Sequence, residues 1–162
     1  MPRPRISAST EINLAPEDLF DFALSDLDSM PDWMTSVDAV ESVDGKWPEP
    51  GSSHVYLRKI GEKEQRGRTS VAELDRPRRV VMLEQTDIEK PAEDPDTAGR
   101  TVWTFEPIDA GTRFTITLEG SNLSLPVYVL FQLFAARIVR NNLRKSLAEL
   151  KRICEQELED AE

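Results

Sequence analysis

One cysteine, one histidine and seven glycines are all that 162 residues contain of those types, and each scarcity removes a class of protein. A lone Cys154 excludes an internal disulfide and fits a reducing compartment. One His and one Cys cannot build a conventional zinc site. The sparse glycines give neither a P-loop nor a dinucleotide fingerprint, and there is no G-x-S-x-G elbow. No metal or cofactor is therefore expected. The opening residues MPRPRISAST lack the apolar stretch of a signal peptide, so the expected address is the cytoplasm. Positive charge is also in short supply, with 20 Lys and Arg against 30 Asp and Glu and a formal charge of -10. That balance argues against nucleic acid or an anionic membrane as the main partner. The longest apolar stretch, Leu125 to Val139, is broken by Gln132 and Arg137. It falls short of the ~20 residues a bilayer requires, so stable membrane insertion is not expected.

What remains fits a single domain over residues 1–162, large enough for a core without disulfides. Residues 1–4 and 156–162 are expected to fray. Residues 5–13 alternate, with Ile6, Ala8, Thr10 and Ile12 on one side, which predicts a strand. Pro16, Glu17 and Asp18 mark a helix start, and Leu19, Phe20, Phe22, Ala23 and Leu27 supply its apolar face. A short helical turn is expected from Met30 to Met34, with Trp33 inward. Val37, Val40 and Val43 lead into a loop from Gly45 to Gly51. Strands are expected at 53–60, 68–74 and 80–86, followed by a long acidic loop at 87–99. Thr101, Trp103 and Phe105, then Phe114, Ile116 and Leu118 across the Asp109-Ala110-Gly111 turn, form a hairpin with one dry face.

A long helix begins near Ser124 or Leu125. At 100° per residue, its inner face collects Leu125, Val129, Gln132, Ala136, Val139, Leu143, Leu147, Leu150 and Cys154. The opposite face presents Val127, Leu130, Phe131, Phe134 and Ile138. A sheet with one dry face needs a cover, and only this helix is large enough.

The order resembles the helix-grip, START-like superfamily, which includes plant pathogenesis-related allergens, polyketide cyclases and lipid-transfer domains. The resemblance spans nearly the whole chain. It rests on Ala15-Pro16-Glu17-Asp18-Leu19-Phe20-Asp21-Phe22, on Pro31-Asp32-Trp33 and on Glu73-Leu74-Asp75-Arg76-Pro77-Arg78-Arg79-Val80. Thr101-Val102-Trp103-Thr104-Phe105-Glu106-Pro107 before Gly111-Thr112-Arg113 adds to it. These stretches are similar to the bacterial polyketide-cyclase/dehydrase-like branch. The resemblance implies an α+β fold, with a curved antiparallel sheet of about seven strands wrapped around the C-terminal helix and two short helices near the N-terminus. It also implies a cavity for an apolar small molecule between sheet and helix. The branch has no shared catalytic motif to carry over.

Candidate wall residues of such a cavity are Trp33, Trp103, Phe105, Phe114 and Ile116, together with Tyr128, Val129, Gln132 and Ala136 on the helix. A buried Gln132 lacking partners costs roughly 1–3 kcal/mol, so a ligand, a water or a backbone group is expected beside it. His54, Tyr56 and Arg58 share one face of their strand and are the candidate proton-moving group. The ordinary pattern, with apolar residues inward, would turn Val55 and Leu57 in and leave His54 in solvent. Cys154, on the buried stripe, reads as a small hydrophobe. The outer patch Val127, Leu130, Phe131, Phe134 and Ile138 exceeds what a monomer usually leaves bare. A second copy in a homodimer is the first expectation for its cover, ahead of a membrane interface or a lid formed by 30–34. Three functions follow: binding or transport of a hydrophobic or amphipathic small molecule, a metal-free cyclase or dehydratase in the same cavity, and a dimeric interaction module.

Overall fold

The computed structural model describes residues 3–91, 98–120 and 123–161. Strand β1, Arg5–Ile12, is followed by α1, Pro16–Phe20, which continues into a π-helical turn at Asp21–Ser25. A 3-10 turn at Leu27–Ser29 leads into α2, Met30–Trp33. Six strands follow: β2 Ala39–Asp44, β3 Ser53–Ile60, β4 Lys63–Asp75, β5 Arg79–Gln85, β6 Gly99–Ile108 and β7 Gly111–Glu119. They form one antiparallel sheet in the order β1-β7-β6-β5-β4-β3-β2. The chain ends in α3, Leu125–Leu130, a π-helical turn at Phe131–Ala135, and α4, Ala136–Ala161. The predicted α+β helix-grip architecture is what the chain adopts. Helix α4 runs on through most of 156–162. Residues 3 and 4 are tied to the strand end, where Arg3 Nε donates to the Gly120 carbonyl at 3.0 Å. Positions 92–97 of the expected acidic loop lie outside the described residues, and β6 begins at Gly99.

The core lies between the dry face of the sheet and the helices. Trp103 pairs with Ile116 and Phe105 with Phe114 across β6 and β7, and all four are buried. The Phe105 and Phe114 rings stack at 4.8 Å, and Trp33 from α2 packs at 5.7 Å from Trp103. Leu143, Leu147, Leu150 and Cys154 close the core from α4. Burial pushes the Cys154 thiol up to about 12, so it is no nucleophile at neutral pH.

Two elements depart from the expected pattern. Ala39–Asp44 is a strand rather than the approach to a loop, and its register on β3 shifts between Val40 and Ser42. That bulge breaks the period-two alternation by which a strand is recognised. The long helix also does not keep one inner face. Its π-helical turn, Phe131–Ala135, carries more residues per turn than an α-helix, so the faces before and after it are out of phase. Ala136, Leu143 and Leu147 are buried, but Gln132 is exposed and Val129 is 46% exposed. The stripe drawn at a uniform 100° therefore holds only after the turn.

Candidate functional site

β3, β4 and β5 present one inward row across the sheet. His54 lies opposite Thr69, and Thr69 opposite Glu84. All three point at a cavity of about 280 Å³ between sheet and α4. Its apolar wall includes Met30, Met82, Trp103, Ile116, Leu118 and Leu143, and its polar side adds Tyr56 and Arg58. Alternation alone would put apolar Val55 and Leu57 inside. Instead His54 is 3% exposed, and it is the His54-Tyr56-Arg58 face of β3 that lines the cavity. The solvated placement of His54 is thus corrected, because this part of β3 forms a pocket wall rather than packed core.

Burial governs the ionisation of this cluster. The His54 imidazole, desolvated with its ring edge-on to Trp47 at 4.4 Å, falls from 6.5 to about 4 and is neutral at physiological pH. Its Nδ1 has no hydrogen-bond partner among the described residues, nor has Trp103 Nε1. Burial raises the Tyr56 phenol, the nearby Glu84 charge raises it further, and Arg58 opposes both. Glu84, half-buried, moves most in functional terms: desolvation lifts its carboxyl from 4.5 to about 7. Thr69 donates to one carboxyl oxygen at 2.9 Å and Thr101 to the other at 3.4 Å, which favours the charged form without overcoming burial. The result is a carboxyl that exchanges a proton near neutrality, beside a neutral imidazole and a protonated phenol.

The Tyr56 ring occupies space that a missing side chain leaves open. It lies opposite Gly67 on β4, where an added Cβ would overlap Tyr56 Cζ and sit 2.5 Å from its Oη. Gly67→Ala is expected to swing the phenol out of the cavity while changing the melting temperature little, since a side chain rather than backbone gives way. Comparing the retained ligand and the melting curve of this variant with wild type checks that split.

Of the other candidates, Trp103 and Ile116 line the cavity. Trp33, Phe105 and Phe114 are buried behind it in the core, while Tyr128, Val129, Gln132 and Ala136 lie away from its lining. A second chamber of about 380 Å³ shares Glu84, Thr86, Thr101, Leu118 and Val139 with the first, and Phe131 is part of its wall. Phe131 thus faces inward, unlike Val127, Leu130, Phe134 and Ile138, which are 48–70% exposed. Sequence reasoning passed over Glu84 and Thr69, and placed Thr101 on the dry face of its hairpin without a role in the site. The signal for Glu84 was its place two and four residues after buried Met82 and Val80 on one strand.

The sequence pattern of the family described as "Polyketide cyclase / dehydrase and lipid transport" matches residues 3–155. The chain belongs to that family. Among curated proteins none matches it. Solved structures carry the same fold at low identity. The di-domain ARO/CYC StfQ of the steffimycin biosynthetic pathway is 14% identical at a TM-score of 0.71, with 96% of this chain matching 52% of that one. Ara h 8.0201 is 12% identical at 0.67, covering 96% and 99% of the two chains. A protein from Thermus thermophilus is 21% identical at 0.63, covering 92% and 95%. At these identities the likeness shows the family's helix-grip fold and nothing finer. Among the described residues no helix is long and apolar enough to cross a membrane.

Proposed function

We propose that the chain binds and carries an amphipathic small molecule between sheet and α4. The ligand's apolar body lies against Met82, Trp103, Ile116 and Leu143, and its polar end meets Glu84, His54 and Tyr56. The observation that carries this reading is the pairing of an apolar wall with two buried ring nitrogens, His54 Nδ1 and Trp103 Nε1, that have no partner among the described residues. Buried polar atoms normally have partners, and a ligand carrying oxygen acceptors or hydroxyls supplies them. Native mass spectrometry of the protein, repeated after denaturation, tests it. An added mass that leaves on unfolding is expected, and Leu143→Trp, which fills the cavity, should lose it. A retained mass that survives Leu143→Trp would place the ligand elsewhere.

A second reading has one observation in its favour. Glu84, ionising near pH 7 beside Tyr56, is suited to move a proton on a bound carbonyl compound, the chemistry of a cyclase or dehydratase. Under that reading Glu84→Gln retains a ligand of different mass from the wild type, because turnover stops. Under the carrier reading both retain the same compound.

A further inference from the structure

The helical run beginning at Leu125 is bare where most helices are covered. Leu125, Val127, Leu130, Leu133, Phe134 and Ile138 are 48–70% exposed. At 100° per residue, Leu125 to Phe134 spread over roughly half the helix circumference. A second helix packed alongside covers one stripe, whereas a fluid apolar layer covers a broad arc. Along the helix itself the charges behind this tip are all of one sign, while Asp87 and Glu119 line the chamber beside it. From Gly120 to Ala148 there is no Asp or Glu, while Arg137, Arg140, Arg144 and Lys145 follow the apolar residues. The last three of those cations fall within about three turns of the exposed Phe134 and Ile138. In a chain of formal charge -10, a purely basic segment is a local reversal that the whole-chain sum conceals.

We propose that this helix start docks the protein reversibly on an anionic lipid surface. The tip around Leu130, Leu133 and Phe134 enters the boundary between headgroups and acyl chains, and the basic collar meets the anionic headgroups. Phe131 of the same run lines the second chamber, so docking brings that chamber close to the apolar layer. Docking is a property of the surface and stands apart from the identity of whatever fills the cavity.

Vesicle flotation tests it, with phosphatidylcholine alone against an equal mixture of phosphatidylcholine and phosphatidylglycerol. Wild type is expected to float with the mixed vesicles, to ignore the neutral ones, and to be released by salt. Leu130→Ser with Phe134→Ser should weaken binding at least roughly tenfold, from the lost apolar insertion. Arg137→Glu with Arg144→Glu should weaken it at least roughly 25-fold, from about fivefold for each cation removed. Both double variants alter exposed side chains and should keep the wild-type melting temperature. Leu143→Trp should float as wild type does, so a failed cavity reading and a failed docking reading give different results. Floating that neither double variant weakens overturns the proposal. So does a protein that ignores both vesicle types, above all one that forms a dimer in light scattering which Phe134→Ser separates, since the patch is then a contact between copies.

Discussion

At pH 8 the Glu84→Gln protein should melt roughly 5–10 °C above wild type, while at pH 4 the two should melt close together. Burial lifts the Glu84 carboxyl from 4.5 to about 7, so between those values the folded chain keeps a proton that the unfolded chain has lost. The folded state binds more protons in that window, and its stability therefore falls as pH rises. The contribution is fully present below 4.5 and is lost as pH climbs through about 7, amounting to at most roughly 3 kcal/mol. Glutamine has the shape of the protonated acid and never ionises, so the variant escapes the loss. His54 works in the opposite direction. With its value lowered from 6.5 to about 4, it contributes stability that is present above 6.5 and is lost as pH falls toward 4. Between 4.5 and 6.5 the two slopes cancel in wild type. Glu84→Gln should uncover the His54 slope as a steady loss of stability on acidification across that window. Thermal melts at a series of pH values read all of this. A gap between variant and wild type that is the same at pH 4 and pH 8 would show that Glu84 is not desolvated.

Gly111→Ala should cost more than roughly 3 kcal/mol, a loss read directly by urea unfolding. Gly111 opens β7 at φ +134°, in a region that L-residues rarely adopt. Its missing Cβ would overlap the Ile12 carbonyl oxygen and lie 2.8 Å from the Leu14 nitrogen. Those are backbone atoms at the end of β1. They are held in place by the Ile12–Thr112 pairing and by the Thr112 hydroxyl, which donates to the Leu14 carbonyl at 2.6 Å. Nothing there can swing aside as Tyr56 can opposite Gly67, which is why two Gly→Ala changes in one sheet should differ so widely. A loss below about 1 kcal/mol would mean that the β1 end yields after all.

The hairpin of β6 and β7 was legible because each strand keeps strict alternation and its dry face is packed core. Trp103, Phe105, Phe114 and Ile116 sit where period two puts them. The Asp109-Ala110-Gly111 turn was equally readable, but the approach of β1 that requires a glycine there is a contact between Gly111 and Ile12, far apart in sequence. β2 was hidden by its bulge. The orientation of β3 was hidden because the rule that apolar residues point inward assumes a filled interior, whereas His54 and Tyr56 face a space. Glu84 stood in plain alternation with Val80 and Met82, yet its meaning depends on Thr69 and Thr101, which only the pairing of three strands brings to it. The helix phase was lost at Phe131–Ala135, a turn with no Gly, Pro or other local mark.

The pairing of β1 with β7 also orders events in time. Residues 5–12 leave the ribosome well before their partners 112–119, which are made about a hundred residues later. Until then β1 is an open edge with an apolar face, able to pair with the wrong strand. β2 to β7, by contrast, join neighbours in sequence and can form as each hairpin is completed. Closing the first strand onto the last is the step with the largest loop to fix, so amide protection in β1, and in the β7 amides that face it, should arrive together and late in refolding.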